Sequence, residues 1–102
     1  MRRGEIWWAE PPGERPRPVV ILTRDRAIAV MERLLVAPVT TTVRGIPTEV
    51  PLGRRDGLPT ACVASFDDMA PMPKDYLVEC ITTLSAERVE ELSRAVRRAT
   101  GC

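Results

Sequence analysis

Histidine is absent from this 102-residue chain. Its absence removes the side chain most often used as a general acid or base near neutral pH, and the commonest ligand of transition metals. Cysteine is scarce as well. Cys62, Cys80 and Cys102 are odd in number and never fall at CxxC spacing, so they read as reduced cytosolic thiols rather than a disulfide framework or a zinc cluster. No metal and no cofactor is expected. Long apolar runs are missing too: nothing approaches the ~20 residues that span a bilayer. The N-terminal Met1-Arg2-Arg3 carries the charges of a signal peptide without its apolar segment, and a cytoplasmic protein with no membrane contact is expected. Charge of one sign is lacking, because fifteen basic residues face fourteen acids. A net charge of +1 excludes a chain held to nucleic acid by bulk charge, and any basic site must be local.

The charges that are present are unevenly placed. Residues 1–60 hold ten arginines against seven acids, residues 61–102 five basic residues against seven acids, and Lys74 is the one lysine. Arginine presents a planar fork of donors that suits phosphates and base edges. With 44% hydrophobic and 28% charged residues the composition is that of an ordinary globular domain, and the absence of linkers or repeats predicts a single domain over 1–102.

The chain is organised about residues 34–52. Leu34-Leu35-Val36-Ala37-Pro38-Val39 is apolar on both faces, as in a central strand, and Thr40-Thr41-Thr42 marks its arrival at the surface. Arg44-Gly45-Ile46-Pro47 reads as a turn, and Thr48-Glu49-Val50-Pro51-Leu52 as a returning, half-exposed strand with Val50 and Leu52 on one face and Glu49 on the other, exposed one. The expectation is a hairpin with hydroxyls and an arginine at its open end.

Upstream, Glu5-Ile6-Trp7-Trp8-Ala9 is β-rich, and alternation would send Ile6 and Trp8 to one face and Trp7 to the other. One indole would be core and the other free to cover a surface or stack on a base. Three prolines between Glu10 and Arg17 demand a loop, after which Pro18-Val19-Val20-Ile21-Leu22-Thr23 forms a second buried strand with Arg17 at its mouth. Residues 24–33 suit a short helix or an irregular loop. Downstream, strands are expected over 60–66 and 76–84, separated by an interruption at Met69–Pro73. A helix then starts at the Ser85 N-cap, carries Glu87 in its first turn, buries Val89, Leu92, Val96 and Ala99, and stops at Gly101. Five or six strands and one terminal helix imply a mostly β (α+β) fold, a small antiparallel barrel or curled sheet.

Four blocks, Arg3-Gly4-Glu5-Ile6-Trp7-Trp8, Arg17-Pro18-Val19-Val20-Ile21-Leu22-Thr23, Val36-Ala37-Pro38-Val39-Thr40-Thr41-Thr42 and Pro47-Thr48-Glu49-Val50-Pro51-Leu52, together resemble the MazF/PemK (Kid) toxins of bacterial type II toxin–antitoxin modules. The later Ser65-Phe66-Asp67-Asp68 and the terminal helix fit less specifically. The resemblance implies an SH3-like antiparallel barrel with a C-terminal helix, CcdB/PemK-like, assembled as a homodimer. It also implies a metal-independent, sequence-specific endoribonuclease (an mRNA interferase) that cuts single-stranded RNA and is restrained by a cognate MazE-like antitoxin. By position, Arg17 matches the family's catalytic arginine and Thr40 its catalytic threonine, and Asp67 falls on or beside an acidic position of the RNA site. Two departures stand out. The loop before Arg17 is short and lacks the usual Gly-Ser-Glu, leaving Glu14 and Arg15 as substitutes, and the histidine of some relatives has no counterpart.

Such chemistry suits the residues. RNA supplies its own nucleophile, the 2′-hydroxyl, so the protein must align the attack and stabilise the added negative charge, which a guanidinium and a hydroxyl can do. Asp67 or Glu14 is a candidate base. Arg15, Arg24, Thr41, Thr42, Arg44, Arg54 and Arg55, with one tryptophan, are candidate RNA contacts. Two other readings share the barrel: a gyrase-poisoning toxin of the CcdB type and a noncatalytic RNA- or peptide-binding module. The first would carry a tryptophan near the end of its helix, where this chain has Ala99-Thr100-Gly101-Cys102.

Overall fold

In the computed structural model, which describes residues 1–101, seven strands join in one antiparallel sheet. Cys102, read above as a free thiol, lies outside the described residues. The strands are β1 (Glu5–Ala9), β2 (Arg17–Ile21), β3 (Arg33–Thr40), β4 (Glu49–Leu52), β5 (Cys62–Ser65), β6 (Ala70–Pro73) and β7 (Leu77–Thr83). A one-turn helix α1 (Asp25–Ile28) follows β2, and α2 (Ala86–Thr100) follows β7. The strand order is β4-β5-β3-β2-β1-β7, with β6 also paired to β3.

The central strands are apolar on both faces because both faces are covered. Val20, Ala37 and Val39 pack with Ile6, Phe66 and, from α2, Leu92 and Ala95. Val19, Ile21, Leu34 and Val36 point the other way, toward Ala9, Met72, Leu77 and the Ile28 of α1. Of the two alternatives left open for residues 24–33, the short helix is the one formed. The terminal helix follows its signals closely. The Ser85 side chain accepts the Arg88 N–H at 3.3 Å, Leu92 is fully buried, Val89, Val96 and Ala99 pack partly, and Gly101 ends the helix with φ +76°.

Several expectations are corrected. The hairpin of residues 34–52 does not form, since β5 inserts between β3 and β4 and pairs with both. Residues 41–48 are therefore a crossing loop rather than a tight turn. The expected interruption at Met69–Pro73 contains a seventh strand. Ala70–Pro73 pairs with Arg33–Val36 of β3, and its two prolines are tolerated because β6 has β3 as its one partner. Pro38 is similarly accommodated, at the point where the partner of β3 changes from β6 to β5. The sheet is also not closed into a barrel, because its end strands β4 and β7 do not pair with each other. Register shifts between Ile6 and Trp7 and between Trp8 and Ala9 disturb the simple alternation of β1. Neither indole is fully buried as a result, and the Trp7 Nε1–H donates to Glu5 Oε1 at 3.1 Å.

One glycine is demanded by packing as well as by backbone. Gly4 has φ +88°, and a Cβ there would lie 2.6 Å from the Val89 Cγ2 of α2. Its N–H and C=O meanwhile join Ile21 and Leu84. The start of β1, the end of β2 and the start of α2 thus meet at a residue without a side chain.

Candidate active site

The loop of residues 10–16 delivers Arg17 to the first position of β2, where it pairs with Ala9 of β1. On its other side β2 runs antiparallel to β3, with Val19 opposite Pro38 and Ile21 opposite Val36. Continued two residues outward, this register sets Arg17 opposite Thr40, the last residue of β3. Directly opposed residues of antiparallel strands direct their side chains to the same face, so the guanidinium and the hydroxyl share one face of the sheet.

On that face lies a cleft of about 250 Å³ walled by Glu14, Arg17, Val19, Val36, Pro38, Asp68, Met72 and Tyr76, among others. Its floor is apolar and its polar groups are at the rim. Arg17 Nη1 donates to Glu14 Oε1 at 3.3 Å, in a pair that leaves the two side chains 42% and 56% exposed. An ion pair as exposed as that is weak and readily exchanged. Arg17 Nε, by contrast, is buried and has no hydrogen-bond partner. The guanidinium is thus only partly satisfied, and an anion could complete its set of donors. Thr40 follows Pro38 on the same face but lies outside the cleft wall. Its Oγ1 accepts the Thr42 N–H at 3.1 Å, which leaves the hydroxyl proton free to be donated elsewhere.

The acidic residues divide differently from the sequence reading. The exposed Asp67 accepts the Thr48 hydroxyl at 2.8 Å and is not part of the cleft wall. Its neighbour Asp68 is. Asp68 Oδ2 accepts Ser65 Oγ–H at 3.0 Å and Arg44 Nη2–H at 3.2 Å. Arg44 therefore reaches the rim through Asp68, whereas Arg15, Arg24, Arg54 and Arg55 do not line the cleft. Arg24 follows the far end of β2. Arg54 donates to the Pro59 carbonyl at 3.3 Å, and Arg55 borders a separate depression beside the start of α2. Thr41 and Thr42 are exposed on the crossing loop.

Three residues of this region had no role in the sequence reading: Asp68, Tyr76 and Glu49. Asp67-Asp68 offered two adjacent carboxylates, and only the path of the chain from β5 to β6 selects one of them. Glu49 was placed on an exposed face of its strand, yet its side chain is buried and bound to the crossing loop. The signal that could have found it is its spacing from Arg44-Gly45, close enough for a carboxylate to reach back to the loop amides.

Comparison with known proteins now decides the family. Residues 2–100 match the model of the PemK-like, MazF-like toxins of type II toxin–antitoxin systems. The chain belongs to the PemK/MazF family. The match extends the resemblance of the four N-terminal blocks across α2. Among curated proteins, a probable endoribonuclease MazF2 of Mycobacterium tuberculosis is 38% identical over 103 residues, covering 100% of both chains. A probable endoribonuclease MazF5 of the same organism is 38% identical over 98% of this chain and 93% of its own. Among solved structures, the M. tuberculosis toxin MazF-mt6 superposes with a TM-score of 0.87 at 36% identity, over 95% of this chain and 96% of that one. A mycobacterial endoribonuclease solved in complex with its cognate antitoxin gives a TM-score of 0.88 at 25% identity, over 99% and 95% of the two chains. The PemK/MazF fold thus accounts for the whole sheet and its terminal helix. Among the described residues no helix is long and apolar enough to cross a membrane.

Proposed function

We propose that this PemK/MazF protein is a metal-independent, sequence-specific endoribonuclease and the toxin of a toxin–antitoxin pair, acting in the cytoplasm on single-stranded RNA. The observation that carries the reading is the Arg17 guanidinium at the cleft, with one N–H buried and unpartnered and another in a weak exposed pair. Its relatives named endoribonuclease, matched over essentially the full chain, support the same activity.

In this reading the scissile phosphodiester lies between Arg17 and Thr40. The 2′-oxygen of the upstream ribose attacks phosphorus while its proton passes to a carboxylate. The bond from phosphorus to the 5′-oxygen breaks, that oxygen takes up a proton, and the products are a 2′,3′-cyclic phosphate and a 5′-hydroxyl. Arg17 displaces Glu14 to bind the phosphoryl oxygens, and the Thr40 hydroxyl donates to the same oxygens as negative charge accumulates. Of the acids, Glu14 is best placed as the base because it stands on Arg17 already and is set free by the exchange. Asp67, held on Thr48, acts through the crossing loop.

The partners follow from the same site. A solved relative is bound to its cognate antitoxin, and an acidic MazE-like segment could occupy the cleft in place of RNA, competing for Arg17. Homodimerisation suits the open edge of β7, where Val78 and Ile81 are exposed.

The test is end-mapping of RNA incubated with purified protein in EDTA. New 5′-hydroxyl ends at a common short sequence support the reading. Binding of RNA with no new ends would make the protein a noncatalytic module instead.

A further inference from the structure

Glu49 opens β4, yet its side chain is only 2% exposed. Its Oε1 accepts the backbone N–H groups of both Arg44 and Gly45, each at 3.0 Å. Its Oε2 is buried without a hydrogen-bond partner, 3.8 Å from Arg44 Nε. Gly45 takes φ +71°, a left-handed conformation in which consecutive amides can turn toward one oxygen. Burying a carboxylate is unfavourable unless N–H groups and a cation answer it, and here one loop supplies both. The carboxylate in turn fixes the path of that loop. The Arg44 guanidinium leaves the loop toward the cleft and rests on Asp68 at 3.2 Å, with both side chains about half exposed. Asp68 is itself held by Ser65 Oγ–H at 3.0 Å and forms part of the cleft wall with Arg17.

One carboxylate is therefore buried and anchors the loop, while the other is exposed and parks the guanidinium. We propose that Glu49 is a positioning residue for RNA: by holding the Arg44 and Gly45 amides it keeps Arg44 at the cleft mouth, where a phosphate adjoining the scissile one displaces Asp68. The inference rests on the nuclease reading and adds to it a second phosphate site with its own support. A phosphodiester accepts the Arg44 fork in two bonds where Asp68 takes one, and the exposed Asp68 gives way at little cost.

The experiment measures KM and kcat in EDTA on a single-stranded transcript carrying the site mapped for the wild-type protein. Arg44→Ala and Glu49→Ala are each expected to raise KM roughly ten-fold and to leave kcat within about two-fold. The double variant should be no worse than Arg44→Ala alone, because Glu49 acts through Arg44. Glu49→Gln keeps an acceptor for the two amides and should restore most of the wild-type KM, with the Arg44 and Gly45 amides still protected from hydrogen exchange. Asp68→Asn, which releases Arg44, should lower KM. If Glu49→Ala does not fold, Glu49→Asp, which shortens the reach but keeps the charge, carries the same expectation. A Glu49 variant with wild-type KM, or KM effects that multiply with those of Arg44→Ala, would overturn the inference while leaving the nuclease in place. Wild-type protein that cuts no RNA would overturn both.

Discussion

Carried two residues beyond the pair of Val19 and Pro38, the antiparallel register of β2 and β3 sets Arg17 opposite Thr40, at adjoining ends of the two strands. The relation brings residues 23 positions apart in the chain onto one face of the sheet. Neither needs a flexible loop to reach the other, since both are terminal residues of strands whose apolar residues, Val19–Ile21 of β2 and Leu34, Val36 and Ala37 of β3, are buried in the core. Arg17 offers an unsatisfied donor and Thr40 a hydroxyl whose oxygen is already engaged by the Thr42 N–H.

Glu14 is expected to matter for rate more than for binding. Glu14→Gln retains the size of the side chain but cannot take a proton from the 2′-hydroxyl, so kcat should fall by ~10²-fold or more, in the range typical of a lost general base. KM should stay the same or drop, since a negative charge competing for Arg17 is gone. Steady-state kinetics on the mapped RNA site would check this, and an unchanged kcat would move the proton transfer to another group.

Much of this was legible before the fold was known. The strand ends at Arg17 and Thr40 were readable because prolines precede the one and a threonine run follows the other. The helix was readable from Ser85, its apolar spacing and Gly101. What the sequence hid were pairings between distant segments. Nothing local says that β5 will separate β3 from β4, or that Ala70–Pro73 will pair with β3 despite its two prolines. The choice of Asp68 over Asp67 and the burial of Glu49 are consequences of those pairings, because each depends on where a loop is carried after a strand ends.

As pH falls through the depressed value of the Asp56 carboxyl, the loop between β4 and β5 should lose its anchor. Burial pushes the Asp56 carboxyl up, but hydrogen bonds from Arg88 and the Gly53 N–H, with the charges of Arg88 and Arg55, outweigh it and hold the group below the usual range. Asp56 Oδ1 meets Arg88 Nε at 2.8 Å, and the Asp56 carbonyl accepts the Thr82 hydroxyl at 3.0 Å. A depressed carboxylate stabilises the fold above its unfolded value of ~3.9, and that contribution is lost as pH falls through the folded value. Arg88→Ala should therefore cost about 1–3 kcal/mol at pH 7, with the gap to wild type narrowing toward pH 2. Urea unfolding at several pH values would show it, and a gap independent of pH would contradict it.

Gly4→Ala tests the junction of β1 with α2. The new methyl would meet Val89 Cγ2 at 2.6 Å on a backbone with φ +88°, and a loss of roughly 1–3 kcal/mol is expected from strain and clash together. Adding Val89→Ala should relieve the clash while leaving the backbone strain, so the double variant should be less destabilised than the two single losses summed. Thermal unfolding of the four proteins closes this cycle, and simple additivity would show that the two residues do not meet.

The convergence of Arg17 and Thr40 on one phosphodiester is tested most directly by a double-mutant cycle in single-turnover RNA cleavage in EDTA. Arg17→Ala is predicted to slow cleavage by ~10²–10³-fold, as for a lost oxyanion donor, and Thr40→Ala by roughly ten-fold or more. Because both groups bind the oxygens of one phosphoryl centre, the double variant should be slower than Arg17→Ala by much less than the Thr40→Ala factor. A folded Arg17→Ala protein that cleaves at the wild-type rate, or losses that multiply in full, would contradict the account.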